Sequence, residues 1–206
     1  MDKIDELASA LARLPGIGPR QGKRFVFYLL SSSTAERTKL AELILSLGKD
    51  VHQCPECMCF YNGTVANLCG YCSDTRRDDT QLMLVEKDQD LSAVERAGTY
   101  KGRYFVLGGV LTLSGKGSIR EKELLKAVER RLAPREGRLA SLKEIVLALS
   151  ATSEGEHTTD RVRELLAPYR DHLKISELGR GLATGSELEY SDAETLRAAL
   201  KNRKES

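Results

Sequence analysis

All five cysteines of the 206-residue chain fall within residues 54–72, in the stretch CPECMCFYNGTVANLCGYC. Four of them form two Cys-x-x-Cys pairs, with eleven residues between the pairs. Each such turn presents two thiolates to one ion, and two turns complete the tetrahedral set of four sulfurs that Zn²⁺ prefers. A redox pair would leave the second pair unexplained, and a disulfide framework is unusual in a reducing compartment. We therefore predict a structural zinc ion on Cys54, Cys57, Cys69 and Cys72.

The remaining cysteine, Cys59, leaves a second choice of ligands open through Cys57 and Cys59. A tight turn presents the sulfurs of a Cys-x-Cys pair less readily, so the two Cys-x-x-Cys pairs are favoured. His52 could replace a cysteine, but a lone exposed histidine is the expected role. A site with four protein ligands has no open position for water, so the ion is expected to fold this segment rather than to catalyse a reaction.

A second candidate site is the stretch LPGIGPRQGKRF, residues 14–25. Glycines without a Cβ let a phosphate approach the backbone, and Pro19 suits the first turn of a helix, whose free N–H groups attract anions. Residues 13–24 include four basic side chains and no acid. This pattern predicts contact with a nucleic-acid backbone, and the alternative is a plain helix–helix turn with a solvated basic face. The candidate contacts are Gly16, Ile17, Gly18, Arg20, Lys23 and Arg24.

The elements that position these sites alternate in type along the chain. Helical periodicity predicts helices over residues 2–13, after the turn at 14–19, and from Ser33 or Thr34 to a point before Gly48. From residue 82 onwards, apolar runs at 82–86, 104–107 and 144–149 alternate with helices near 88–97, 120–132 and 158–167. This alternation predicts crossover connections and a mainly parallel sheet. A glycine-rich loop and a short amphipathic helix through Leu196 and Leu200 follow.

We thus predict an α+β protein of several parts. They are a DNA-binding helical region at residues 1–52, a four-cysteine zinc finger at 53–76, an α/β domain at 79–175 and a C-terminal segment at 176–206. A net charge of +2 excludes binding to nucleic acid by bulk charge alone. No apolar stretch approaches the roughly 20 residues of a membrane span, and the start MDKIDELASAL lacks the order of a signal peptide, so a cytoplasmic protein is expected.

The order of these motifs resembles the RecR family of bacterial recombination mediators over essentially the whole chain. The stretch LPGIGPR looks like the helix-hairpin-helix motif of DNA repair proteins. Further similar stretches are the two cysteine pairs, LVEKDQDLSAVE, GRYFVLGG, SEGE and GSELEY. The resemblance implies a Toprim-like α/β domain and a ring-shaped homotetramer whose N-terminal and C-terminal segments form the contacts between subunits. It also implies action with RecO, and in some pathways RecF, to load RecA on gapped DNA coated by single-strand-binding protein.

Catalytic Toprim domains carry a glutamate after the first strand and two aspartates in a DxDxEGE motif. Aligned by the shared EGE, the aspartate positions fall on Ser150 and Thr152 of this chain. Hydroxyls beside a single carboxylate, that of Glu86, would hold Mg²⁺ weakly, so we expect a non-catalytic adaptor. Glu154 and Glu156 are then expected to cap a helix that begins near residue 157.

Two other functions remain open. A Mg²⁺-dependent Toprim nuclease or primase-like enzyme would use Glu86 with Glu154 or Glu156. A zinc-finger transcription regulator would prefer one duplex sequence, whereas backbone contacts predict similar affinity across sequences.

Three acidic residues, Glu86, Asp90 and Glu95, have no role in the zinc or DNA sites. The resemblance implies a contact surface for RecO, and the alternative is ion pairing with nearby cations, which are Arg96, Lys101 and Arg103. Basic residues also crowd positions 116–138. Most of these are expected on a solvated helix face, although a ring-shaped assembly would place some of them at its hole.

Overall fold

The computed structural model describes residues 2–63, 67–114, 117–133, 142–182, 184–185 and 187–203. The chain forms two compact units. The first comprises Met1–His52 with Asn62–Val65, and the second comprises Gln53–Tyr61 with Ala66–Ser206. In the ranges described, none of the helices combines the length and the apolar character that crossing a bilayer requires.

The first unit consists of the helices α1 (Lys3–Leu11), α2 (Pro19–Ser31) and α3 (Thr34–Asp50). Ser33 caps α3 as predicted, because its hydroxyl accepts a hydrogen bond from the N–H of Glu36 while the Glu36 carboxylate accepts one from the N–H of Ser33. The prediction that α3 ends before Gly48 was wrong. Gly48 continues the helix, and the chain becomes extended only at Val51.

Packing within this unit depends on a close approach of α1 and α2. A Cβ on Gly22 of α2 would lie 2.5 Å from the carbonyl oxygen of Ala8 in α1, so only glycine fits at this crossing. Ala8 and Val26 are buried beside it. By contrast, none of the 17 residues of the described helix α3 is buried. Its apolar side chains at positions 40, 43, 44 and 47 are exposed.

The second unit contains strands and helices in alternation. Its strands are β1 (Val51–Gln53) and β2 (Phe60–Asn62), where the chain passes between the units, followed by β3 (Asp78–Val85), β4 (Gly102–Val106), β5 (Glu144–Ala148) and β6 (Lys174–Glu177). Its helices are α4 (Gly70–Ser73), α5 (Asp88–Ala97), α6 (Glu121–Leu132), α7 (Ser153–Leu165) and α8 (Ala193–Lys201), with 3₁₀ turns at Ala167–Tyr169 and Leu188–Tyr190.

Strands β3 to β6 form one four-stranded sheet in the order β4-β3-β5-β6, and every neighbouring pair is parallel. The predicted α+β architecture with a mainly parallel sheet is therefore confirmed. The sequence analysis missed β6. This outer strand has the sequence KISE and is half exposed, so it lacks the continuous apolar run that identified the other three strands.

The central strand β3 is buried on both faces. Leu82 and Leu84 belong to a core formed with α6 and α7, whereas Met83 and Val85 belong to a second core on the opposite face. Side chains alternate between the two faces of a strand, and parallel strands of this kind are covered on both sides. The second core includes Leu91 of α5 and four of the cysteines. The cysteine segment thus covers one face of the sheet.

We expect Gly22→Ala to destabilise the first unit by about 1–3 kcal/mol, because the added methyl group has no room against the Ala8 carbonyl. Urea unfolding monitored by circular dichroism measures this loss. Gly48→Ala provides the matched control, since a Cβ there meets nothing within 4 Å. In a helix interior this change should stabilise by up to about 1 kcal/mol. Equal effects of the two substitutions would contradict the assigned helix crossing.

Candidate functional site

The four predicted zinc ligands converge in the second unit. The Sγ atoms of Cys54, Cys57, Cys69 and Cys72 all lie within 4.8 Å of one another. Three of these cysteines are buried and Cys72 is half-buried. Four thiols in one compact group fit a soft ion such as Zn²⁺, which takes four sulfurs in tetrahedral geometry. The cluster can therefore hold a metal ion without leaving a position open for substrate.

Two tight turns bring these sulfurs together. In the first pair, the N–H of Met58 donates to the carbonyl of Cys54 (2.9 Å) and the N–H of Cys54 donates to the carbonyl of Cys59 (2.8 Å). In the second pair, the N–H groups of Cys72 and Ser73 donate to the carbonyl of Cys69 at 3.1 and 3.0 Å, at the start of α4. Each turn is thus fixed by its own backbone before any ion binds.

The charges around the cluster favour thiolates. The pKa of Cys54 is lowered to about 6, chiefly because Cys57 hydrogen bonds to its sulfur. Hydrogen bonds from Cys54 and Cys57 likewise lower the pKa of Cys69. The Arg131 side chain is only 8% exposed, and burial lowers its pKa, while Glu56 and the sulfurs of Cys72 and Cys57 act in the opposite direction. This buried cation offsets part of the negative charge that four thiolates bring.

Two arginines of the α6 region fasten the first cysteine turn. Arg130 Nη1 lies 2.8 Å from Glu56 Oε1. Arg120 Nη1 donates to the carbonyls of Val106 (2.9 Å) and Met58 (3.3 Å). The expectation of a mainly solvated basic face at residues 116–138 was therefore wrong for these arginines and for Arg131, although residues 134–138 lie outside the described part of the chain. The sequence signal was ambiguous because only spatial neighbours distinguish an anchoring arginine from a solvated one.

The second cysteine turn is fastened by a buried arginine of β4. Arg103 Nη1 donates to the carbonyls of Tyr71 (2.8 Å) and Cys72 (3.2 Å), and its Nε lies 2.7 Å from Asp79 Oδ1. In the first turn, the N–H of Val106 donates to the carbonyl of Cys57 (2.8 Å). Both cysteine pairs are therefore bonded to β4, the outer strand of the sheet on this side.

Cys59 and His52 differ from their expected surroundings. Cys59 is 2% exposed, and its Sγ lies 3.3 Å from the Sγ of Cys57, so the fifth thiol belongs to the same buried cluster. His52 lies in β1 and is half-buried, which corrects the expectation of an exposed histidine.

The former acidic site is closed by hydrogen bonds. Glu86 follows β3 and is 6% exposed. Its Oε1 accepts from the N–H of Ser150 (2.6 Å) and from the Ser150 hydroxyl (2.5 Å), which lies 3.1 Å from the hydroxyl of Thr152. A Cβ on Gly155 would lie 2.0 Å from the Ser150 carbonyl, so this glycine lets the loop approach α7. The hydroxyls at the two aspartate positions thus bind the remaining carboxylate directly or at one remove.

Helix α7 begins earlier than predicted. Its first residue is Ser153, and the hydroxyl of Thr152 caps it by accepting from the N–H of Gly155 (3.1 Å). Glu154 and Glu156 therefore lie within the first turn instead of preceding the helix, where their charges interact favourably with the helix dipole. The Ser-Glu-Gly-Glu stretch has no apolar periodicity, and the threonine cap was not recognised in the sequence.

The three acidic candidates for partner binding have intramolecular contacts. Asp90 Oδ2 accepts from the N–H of Lys87 (3.1 Å) at the start of α5. Glu95 accepts from Arg77 Nη2 (2.6 Å) and from the Tyr104 hydroxyl (2.5 Å). Burial raises the pKa of Glu95, but these two hydrogen bonds outweigh it and hold the pKa below its usual value.

The observed ion pair of Glu95 with Arg77 corrects the pairing expected from the sequence with Arg96, Lys101 or Arg103. Arg77 also lies over the ring of Tyr71, 5.2 Å from its centroid, and donates to the carbonyl of Gly102 (3.0 Å). The carboxylate of Glu95 thus helps to hold α5 against the segment that follows the cysteines.

The predicted hairpin lies between α1 and α2. Gly16 adopts a left-handed conformation with φ of 76°, and the N–H of Ile17 donates to the carbonyl of Leu14 (3.1 Å). A Cβ on Gly16 or Gly18 would meet nothing within 4 Å, so both glycines face open space. The first hydrogen bond of α2 joins the N–H of Gly22 to the carbonyl of Gly18, and the N–H groups before it have no acceptor within the helix.

The basic side chains near the hairpin are not free of acids. Arg20, Lys23 and Arg24 are exposed, but Lys23 Nζ lies 3.2 Å from Asp5 Oδ1 of α1. The sequence stretch 13–24 contains no acid, so this neighbour was missed because it comes from the preceding helix. Side chains of both partners are about half exposed, and such a pair contributes little to stability and is screened by salt. A phosphate can therefore compete for Lys23.

Comparison with known proteins identifies relatives of nearly equal length. Family models described as "RecR, helix-hairpin-helix", "Toprim domain" and "RecR, C-terminal" match residues 4–47, 80–178 and 181–204. The "Recombination protein RecR" of Bdellovibrio bacteriovorus is 36% identical and covers 98% of this chain and 97% of its own. Those of Lactobacillus acidophilus and Cereibacter sphaeroides are 35% and 39% identical and cover 97% and 98% of this chain, each with 96% of its own.

Removing a bound ion should destabilise the sheet as well as the cysteine turns, because the thiols share a core with Met83, Val85 and Tyr104. We expect chelation to cost about 3 kcal/mol, or roughly 10 °C in Tm, and to accelerate hydrogen exchange in residues 54–72 and in β4. Calorimetry and hydrogen exchange measure these changes. Exchange in α1 and α2 serves as the internal control. A preparation shown to be metal-free but equally stable would contradict a structural metal.

Proposed function

Because the chain belongs to the RecR family of recombination proteins, we propose that it serves DNA repair and recombination as a non-catalytic, DNA-binding adaptor. The observation that carries this proposal is the closed acidic site, in which Ser150 and Thr152 occupy the positions where a catalytic Toprim domain has aspartates. The adaptor would act with RecO, and in some pathways RecF, to load RecA on gapped DNA covered by single-strand-binding protein.

The geometry around Glu86 argues against the alternative of a Mg²⁺-dependent nuclease or primase-like enzyme. Mg²⁺ keeps several waters and is held by carboxylates, and phosphoryl transfer relies on it to stabilise negative charge. Here Glu86 is buried, and one of its oxygens already accepts two hydrogen bonds from Ser150. Glu156 lies 2.7 Å from Arg180, which further separates the acids. Such an arrangement suits a folded loop better than a metal catalyst.

The hairpin supports the DNA-binding part of the proposal. Its open glycines and unpaired backbone N–H groups suit a phosphate, and the exposed cations Arg20, Lys23 and Arg24 lie on the helix that follows. Contacts of this kind position a protein on DNA without reading its sequence, unlike those of a zinc-finger transcription regulator. A few such contacts per chain bind weakly and are sensitive to salt. Several copies acting together would convert them into firm binding.

Helix α3 supports the assembly of several copies. Leu40, Leu43, Ile44 and Leu47 form an apolar stripe along it, and all four are at least 44% exposed. A stripe at this spacing is typical of a helix face that packs against another surface. We propose that it contributes to the contacts of a ring-shaped homotetramer. The C-terminal segment 176–206, with α8, would provide further contacts.

For RecO we propose a surface around α5, close to Glu86, Asp90 and Glu95. Asp90 is half-exposed and can contact a partner directly. Glu86 is buried, and Glu95 is bonded to Arg77 and Tyr104, so these two would act by holding the surface in place. The division of roles follows from their burial and hydrogen bonds.

We propose Zn²⁺ as the metal, held by Cys54, Cys57, Cys69 and Cys72, with a structural role. Four thiolates saturate its coordination, so the ion supplies cross-linking of the chain and no reaction. The domain limits proposed from the sequence, 1–52, 53–76, 79–175 and 176–206, keep the zinc finger as a segment that packs on the α/β domain. All five cysteines are free thiols, which suits action in the reducing cytoplasm.

With Mg²⁺ or Mn²⁺ present, we expect the purified protein neither to cleave nor to extend DNA, because the acids of a catalytic Toprim site are replaced. Gel assays on single-stranded, duplex and gapped substrates test this. Glu86→Gln, with the exposed Glu123→Gln as matched control, should leave the DNA affinity unchanged. Metal-dependent cleavage that Glu86→Gln abolishes and Glu123→Gln retains would overturn the adaptor proposal.

Lys23→Ala with Arg24→Ala should weaken DNA binding and reduce the slope of log K against log salt by about 2 per chain, because each lysine or arginine that contacts a phosphate releases about one counterion. Fluorescence anisotropy at several salt concentrations measures both quantities. Asp5→Asn removes the acid that competes for Lys23, so it should strengthen binding at low salt.

The matched control for the hairpin is Lys39→Ala with Lys49→Ala, which removes the same charge from α3 of the same unit. An equal loss of affinity in both double variants would show that net charge, and not the hairpin, determines DNA binding.

Ile44→Asp should lower the mass in solution, because it places a charge within the apolar stripe of α3, where Ile44 is 60% exposed. Light scattering coupled to gel filtration measures the mass. Thr38→Asp adds the same charge to the opposite face of α3 and should leave the mass unchanged. An unaltered mass for Ile44→Asp would place the contacts between copies elsewhere.

A further inference from the structure

The metal centre proposed above needs four sulfurs, but five lie in the cluster. In a tetrahedral site with Zn–S bonds of about 2.3 Å, two ligand sulfurs are about 3.8 Å apart. The Sγ atoms of Cys57 and Cys69 are 3.5 Å apart, and the Sγ atoms of Cys57 and Cys59 are 3.3 Å apart. Cys59 is thus as close to a predicted ligand as two ligands are to each other.

The backbone directs Cys59 inwards. Met58 adopts a left-handed conformation with φ of 63°, and it is the one non-glycine residue with positive φ among those the structure describes. Residues without β-branching tolerate this conformation at a cost of roughly 1–2 kcal/mol. Because of this turn, Cys57 and Cys59 both point into the cluster, and the carbonyl of Cys59 accepts the N–H of Cys54 (2.8 Å). The fifth thiol is therefore held at the site by hydrogen-bonded structure.

We propose that Cys59 is an exchangeable ligand that takes the coordination position of Cys57. In the exchange the Zn–S bond to Cys57 breaks and one to Cys59 forms. The proton of the Cys59 thiol passes to the Cys57 sulfur across their 3.3 Å separation, so the total charge of the centre is unchanged. Zn²⁺ has no geometric preference from d-electrons that would distinguish one thiolate from another. The exchange keeps the segment folded when the sulfur of Cys57 is lost or modified.

Cysteine-to-serine variants titrated with Co²⁺ test the proposal, because Co²⁺ absorbance distinguishes four sulfurs from three. The Cys57→Ser variant should keep a four-sulfur spectrum and an affinity within about 10-fold of the unchanged protein. Cys57→Ser with Cys59→Ser should show three sulfurs and bind more weakly than the roughly 10–100-fold that loss of a supporting contact costs. Cys72→Ser is the matched single control and should show three sulfurs. Cys59→Ser alone should keep four.

Two results overturn the exchange. In one, Cys57→Ser gives the same three-sulfur spectrum as Cys72→Ser. In the other, Cys59→Ser alone loses the four-sulfur spectrum, which would make Cys59 a permanent ligand. Failure of the unchanged protein to bind Zn²⁺ or Co²⁺ would instead refute the metal centre itself, so the two failures are distinguishable.

Native-state alkylation of the unchanged, zinc-loaded chain tests the same exchange without any substitution. Slow treatment with iodoacetamide, followed by acid quenching and peptide mass spectrometry, should give singly modified chains labelled at either Cys57 or Cys59. Cys54, Cys69 and Cys72 should stay unlabelled while the ion is bound. Label confined to Cys59 would show that Cys57 never leaves the ion and would overturn the proposal.

Discussion

The second unit depends on the burial of β3 from both sides. Helices α6 and α7 cover Leu82 and Leu84, and such helices bring enough apolar surface to form a core. The opposite face, with Met83 and Val85, is covered by α5 and by a segment whose inward side chains are mostly cysteines. Thiols are small and their segment is short, so this layer has little hydrophobic surface of its own. A metal cross-link is the physical means by which so small a layer becomes stable, which explains why the cysteine turns and the sheet share one core.

The same sheet explains why a fold related to catalytic proteins supports an adaptor here. The carboxyl ends of β3 and β5 bring Glu86 and Ser150 together, which is where a parallel sheet places its functional residues. In this chain the contact is a pair of hydrogen bonds between a buried carboxylate and a serine. The position that would hold a metal in an enzyme therefore fixes the loop before α7. The proposed DNA and partner contacts then depend on surfaces outside the sheet's end.

Sequence reasoning succeeded where local patterns determine the structure. The cap at Ser33, the apolar runs of β3, β4 and β5 and the convergence of four cysteines all follow from spacing along the chain. It failed where a neighbour distant in sequence decides the outcome: Asp5 beside Lys23, Glu56 beside Arg130 and Arg77 beside Glu95. The strand β6 was missed for a related reason, since its pairing with β5 supplies the stability that its short sequence lacks.

The hydrogen bonds made by β4 along its outer side have a further consequence for solubility. Strands at the edge of a sheet expose N–H and C=O groups that can pair with another chain and lead to aggregation. Here the carbonyls of Gly102 and Val106 accept from arginine side chains, and the N–H of Val106 donates to Cys57. The open edge is thus capped, partly by the metal-binding turn itself. Any condition that loosens this turn would uncover a template for strand addition, so the cysteine segment protects the protein from self-association as well as from unfolding.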